Sequence, residues 1–139
     1  MVVPRSINET EDTTMVNDYL KQRAHAEAIV ERAADQLRDL LVDLVKEVDP
    51  FPPFPGSMFT SGIEVQPTSN SSLGCVIVGD DAELYELELG LDHEEISRGG
   101  DAHAARIEHA IELDLTKAEY VTTVHAAIQA VATYLETRD

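Results

Sequence analysis

Apolar residues recur at helical spacing from about Thr14 to Val48. Ala26, Val30, Ala33, Leu37, Leu40 and Leu44 alternate steps of four and three, which places them on one stripe of a 3.6-residue helix. Leu41, Val45 and Val48 widen the stripe in its second half. Asp49-Pro50 ends the pattern, because proline disfavours helix at the residue before it and has no amide hydrogen to donate. The acids keep a rule of their own. Glu27, Glu31, Asp35, Asp39, Asp43 and Glu47 fall every four residues, so the row drifts by about 40° per step and winds across the opposite, solvent-facing side. Arg32, Arg38 and Lys46 lie close to these acids in sequence and offset part of their repulsion. Unbroken, such a helix runs about 50 Å, whereas a compact domain of this size is about 37 Å across. An overhanging apolar stripe needs cover, so the pattern predicts a homodimer in which this helix packs on its partner.

Asp49 to Gly56 carries four prolines in six residues and reads as a stiff, extended connector that Phe51 and Phe54 pin to the core. Period-two alternation follows. Phe59, Ser61, Ile63 and Val65 against Thr60, Gly62, Glu64 and Gln66 predict a first strand, and Pro67 to Ser72 a turn. Leu73 to Val78 is an uncharged run suited to an interior strand. Gly79-Asp80-Asp81 turns the chain into Glu83 to Leu91, where Tyr85, Leu87, Leu89 and Leu91 oppose Glu86 and Glu88 in a hairpin. In Arg106 to Leu115 the set Ile107, His109, Ile111, Leu113 and Leu115 alternates with Glu108, Ala110, Glu112 and Asp114, which predicts a fourth strand with the first set inward. Thr116-Lys117-Ala118-Glu119 is a capping box that opens a last helix, with Val121, Val124, Ile128, Val131 or Ala132, and Leu135 as its buried stripe and His125 half-buried beside it. The expected fold is α+β: a long N-terminal helix, a four-stranded, mainly antiparallel sheet packed on helices, and a C-terminal helix. Residues 1–13 read as a disordered or extended tail and 14–139 as one domain, in line with the usual size of about 100 to 150 residues.

Composition bears on function chiefly through charge. Twenty-seven acids against 10 bases give a formal charge of −17, which repels phosphate backbones and anionic lipid and excludes ordinary binding to nucleic acid or membranes. The apolar share of 43% is that of a folded chain. The lone Cys75 has no internal disulfide partner, which suits a reducing, cytoplasmic setting. No run approaches the length of a membrane helix, and Met1 to Thr14 lacks the apolar block of a secretion signal. Charge is unevenly placed: Asp80 to Glu119 holds 13 acids and 3 bases, so this stretch alone carries −10.

Candidate chemistry collects in the connection from Asp92 to Arg106 and the strand after it. His93, Asp101, His103 and His109 are residue types that bind zinc, iron(II) or manganese, or that perform acid/base work with an oriented histidine. Their spacings of ten and six residues match no compact ligand pattern. Ser57 and Ser97 lack a nucleophile elbow, Cys75 lies within a strand, and Gly99-Gly100 is too short to cradle phosphate, so no cofactor is implied. The leading expectation is a non-enzymatic, chaperone-like interaction domain, homodimeric and cytoplasmic. Its acidic sheet end, through Glu86, Glu88, Asp92, Glu94 and Glu95, engages a basic or amphipathic protein. In general make-up and layout the chain resembles the small acidic dimers that hold secretion substrates. Two rivals are a metal- or histidine-dependent enzyme built on the 92–109 loop and strand, and a mimic of nucleic-acid charge directed at a basic protein.

Overall fold

A computed structural model describes the backbone of residues 3–66, 74–101 and 105–138, with side chains from Asn17 onward. Helix α1 spans Val3–Lys46, followed by strands β1 (Ile63–Glu64), β2 (Cys75–Val78) and β3 (Leu84–Leu91), the short helix α2 (His93–Ser97), strand β4 (Arg106–Glu112) and helix α3 (Lys117–Thr137). The strands form one antiparallel sheet in the order β1-β2-β3-β4. This is the expected α+β architecture of helix, four-stranded sheet and helix. The predicted turn at 67–72 lies outside the described residues.

Helix α1 starts eleven residues before the periodic pattern, so the backbone of 3–13, expected as a disordered or extended tail, is drawn as helix. Pro4 falls in the first turn, where proline is tolerated, and neither proline nor glycine recurs before Pro50. The helix is about 66 Å long against about 32 Å for α3. It ends in a tightened turn, with Glu47 N donating to Leu44 O and Val48 N to Val45 O, and a cis Asp49-Pro50 bond follows. All six acids of the four-residue row are exposed, as the spacing predicts. The apolar stripe is rotated from its expected centre: Ala34, Leu41, Val45 and Val48 are buried, while Leu40 is 54% exposed. The reason is that α1 packs chiefly along α3, and the shared core is centred where Leu41 and Val45 meet α3 and the sheet residues Val76, Val78 and Leu84.

That core joins Leu41 and Val45 of α1 to Val124, Ala127 and Val131 of α3 and to Val76, Val78 and Leu84 of the sheet. Residues directly opposite in an antiparallel ladder share a face. The register Val78↔Leu84 and Val76↔Glu86 therefore puts Glu86 and Glu88 on the helix side, with Ile77, Leu87, Leu89 and Leu91 on the other. Helix α3 lies over β1, at the opposite edge of the sheet from β4. Its reach explains a correction at β4: of the inward set, Leu113 and Leu115 do pack on the core and Ile107 is half-buried, but His109 and Ile111 are exposed, Ile111 at 56%. No helix extends far enough to cover them.

The proline-rich connector lies against part of the far face of the sheet, at Ile77, Leu89, Arg106 and Glu108, and leaves Leu89 and Leu91 exposed. Phe51 packs on the core, and 52–62 folds back on itself through Phe54 N to Thr60 O (2.9 Å), Gly62 N to Pro52 O (3.0 Å) and a bridge between Pro53 and Ser61. This return shortens the first strand. Phe59, expected inside it, is 86% exposed, and the strand itself is Ile63–Glu64, with Val65 N still donating to Val76 O (2.8 Å). Gly62 lies hard against Ile77, and Gly56 faces Leu89. At α3 the capping box forms as written in the sequence, with Glu119 N donating to Thr116 Oγ1 (3.2 Å) and Thr116 N to the Glu119 carboxylate (3.1 Å). Thr123 is buried there with its hydroxyl donating to Glu119 O, whereas His125 is exposed and not half-buried, because the buried side of α3 runs through Val124, Ala127 and Val131.

Candidate functional site

The acidic connection after β3 is more ordered than a loop. Asp92 caps α2, its carboxylate accepting from the amides of Glu94 (3.0 Å) and Glu95 (3.4 Å), and the two glutamates sit in the first turn where the helix dipole favours negative charge. Glu94 pairs at the surface with Arg98 (3.4 Å). Part of this acidity therefore has a local structural use. Gly99, at positive φ, closes the turn, and Gly100 N donates to Glu95 O.

The proposed metal or acid/base residues are placed as follows. His93 opens α2 and is exposed, and Asp101 is exposed just before Ala105, whose amide donates to Asp101 O. His103 lies outside the described residues. His109 is exposed on β4, directly opposite Glu88 on the helix-side face. Asp92 pairs with Ala105 just past the Leu91↔Arg106 end of the ladder, four positions along from Glu88↔His109, or about 13 Å. Glu88 and His109 are thus the pair that the sheet brings together, and among the described residues no group of three or more His, Cys, Asp or Glu side chains is gathered for a metal. Glu86 accepts from Gly74 N (2.8 Å). The Cys75 thiol is pushed up by burial and then by the Glu64 carboxylate, which keeps it protonated and a poor nucleophile.

Three of the hollows among the described residues lie elsewhere. One of about 420 Å³ sits between α1 and the start of α3, lined by Asp35, Arg38, Asp114, Lys117 and Tyr120 among others. A second, of about 370 Å³, lies further along α1 at Ala26 and Val30. The third, of about 350 Å³, lies at the β4 edge between Met58, Phe59 and Arg106 to His109. None includes His93 or Asp101.

Two residues with clear roles lack a sequence signal. Glu108 accepts from the amides of Met58 and Phe59 (3.2 Å each) and from the Thr60 hydroxyl (2.8 Å), fastening the connector to β4. Burial pushes its carboxyl up, but the Thr60 hydroxyl and the amides of Phe59, Met58 and Thr60 outweigh this and hold it below the usual carboxylate range. Arg106 donates to Gly56 O, yet its Nε is buried without an acceptor. Among the described residues it makes no ion pair, in contrast to Arg23, Arg38 and Arg98.

The chain matches no protein-family model, no curated protein and no solved structure at a significant level. Among the described residues no helix is long and apolar enough to cross a membrane.

Proposed function

We propose that the protein is a small acidic interaction domain, chaperone-like and homodimeric, which works in the cytoplasm without catalysis and binds a basic or amphipathic protein segment. The observation that supports this reading is the helix-side face of β3 and β4 around Ile111, which no helix among the described residues covers. There Ile107 and Ile111 lie beside Glu86 and Glu88, with the acidic α2 at one end. Apolar side chains rimmed by carboxylates suit a segment that carries lysines or arginines on one side and aliphatic residues on the other. Such a surface gains affinity from apolar burial and association rate from charge.

A synthetic twelve-residue peptide alternating lysine and leucine tests this. Titrated into ¹⁵N-labelled protein, it is expected to shift the amides of residues 86–88 and 107–111, and Glu86→Lys/Glu88→Lys should weaken binding at least tenfold. Shifts spread evenly over the acidic surface, or undiminished in the double variant, would refute the assignment.

A further inference from the structure

The outer edge of β4 is the place where the chain is least finished. Leu113 N donates to Leu84 O and Asp92 N to Ala105 O, so the odd-numbered residues between them turn their main-chain groups toward β3. The even-numbered ones, Arg106, Glu108, Ala110 and Glu112, turn theirs to the open side, where no backbone group among the described residues meets them. Proteins guard such edges with lysine, proline, bulges or short length. Strand β4 has seven residues, contains neither lysine nor proline, and pairs with β3 in continuous register without a bulge.

Its sequence, Arg-Ile-Glu-His-Ala-Ile-Glu, is also complementary to itself read backwards. Laid antiparallel on a second copy about His109, it sets Arg106 opposite Glu112, Ile107 opposite Ile111, Glu108 opposite Ala110 and His109 opposite His109. Any other register breaks at least one of these matches. The main-chain directions agree, because the Arg106/Glu112 and Glu108/Ala110 pairs are those whose N–H and C=O groups face outward. Ile107/Ile111 and His109/His109 then fall at the closer, non-hydrogen-bonded positions, where apolar side chains touch best.

We infer that β4 pairs antiparallel with β4 of a second copy across a two-fold axis at His109, giving one continuous eight-stranded sheet. Glu112 of the second copy stands opposite Arg106, which makes no ion pair among the described residues. The end of the incoming strand enters the hollow of about 350 Å³ beside Met58 and Phe59. Because paired residues share a face, the uncovered patches of the two copies merge. The inference thereby deepens the function proposed above, with which it shares the dimer, and replaces α1 as the seam.

Static light scattering at 50 µM is expected to give twice the chain mass of 15.3 kDa. In a Cys75→Ser background, His109→Cys should oxidise to a covalent dimer, since cysteines opposite one another at a non-hydrogen-bonded position meet disulfide geometry. Ile107→Cys alone should not, being four residues out of register with itself, whereas Ile107→Cys/Ile111→Cys should. Ile111→Lys, at an exposed position, should raise the dimer dissociation constant at least tenfold with unchanged circular dichroism. A dimer that ignores Ile111→Lys and fails to cross-link through His109→Cys would overturn this seam and leave the dimeric reading standing on another surface. A wild-type chain that is monomeric at 50 µM would overturn both, while binding of the lysine-leucine peptide would still be decided by its own titration.

Discussion

Gly62 is where the connector presses closest on the sheet, and replacing it measures that contact. A Cβ at this position would stand 2.8 Å from Ile77 Cδ1, 3.2 Å from its Cβ and 3.4 Å from its Cγ1. Ile77 is buried in β2, between β1 and β3, so its backbone has no freedom to retreat. Gly62→Ala is an overpacking change of the kind that costs about 1–3 kcal/mol, against about 0.4–1 kcal/mol gained by stiffening the unfolded chain. The expected net loss is about 1–2 kcal/mol. Ile77→Val removes Cδ1, the atom in worst conflict, and by itself should cost about 0.5–1.5 kcal/mol. In the double variant the new methyl occupies the space that Cδ1 leaves, so the two losses should fall short of their sum by about 1 kcal/mol. Urea denaturation of all four proteins, with unchanged slopes, measures this. A stabilised Gly62→Ala, or losses that add to within about 0.5 kcal/mol, would show that the connector does not lie against β2.

Leu41, fully buried between α1, α3 and the sheet, should cost about 2–5 kcal/mol when cut to alanine; a change below about 1 kcal/mol in the same urea assay would contradict the packing. Glu108 has a folded pKa below its ordinary value, so its contribution is present above the unfolded value, about 4.3, and is lost as pH falls through the folded one. The wild-type advantage in urea midpoint over Glu108→Gln should therefore shrink as pH is lowered from 6 to 3, and a constant difference would refute the carboxylate's role. The Tyr85 hydroxyl is pushed up to about 12, first by its hydrogen bond to Asp81, then by burial and by the charges of Asp81, Glu112 and Glu83. This raised value favours the neutral phenol in the fold, a contribution present below the ordinary pKa of about 10 and lost as pH climbs through the folded one. Comparing 295 nm titrations of wild type and Tyr85→Phe should show no Tyr85 step near pH 10, and a step there would mean that the Asp81 contact is not made.

The sequence announced elements whose stabilising groups lie close together in the chain. The α3 capping box needs residues three apart and the acid row of α1 needs one helical period, and both appear in the structure as the pattern implies; β4 forms as a strand, but the inward half of its alternation is not buried throughout. What stayed hidden depends on partners far away. The connector is held by Glu108, about fifty residues on, and nothing local distinguishes that glutamate from Glu112. Phe59 fitted a strand pattern, yet the backbone turned back through 52–62 and put it outside. Which side of β4 faces the core depended on how far α3 reaches, a length no periodicity contains. At the candidate site the start of α2 is local too: Asp92 followed three residues later by Glu95 is a helix-opening signature.

The fastening of the connector to β4 also bears on how the molecule opens. Loops ordinarily fluctuate independently of the sheets they cross, and their amides exchange with solvent quickly. Here the amides of Met58 and Phe59 end on a side chain of β4, and the amide of Gly62 on the connector's own base against β2. Exposing the first two requires giving up the Glu108 anchor, and exposing the third requires lifting the segment from Ile77. In hydrogen exchange the segment from Phe54 to Gly62 should accordingly behave as part of the same cooperative opening unit as β2 to β4, while the projecting first turns of α1 exchange separately and sooner.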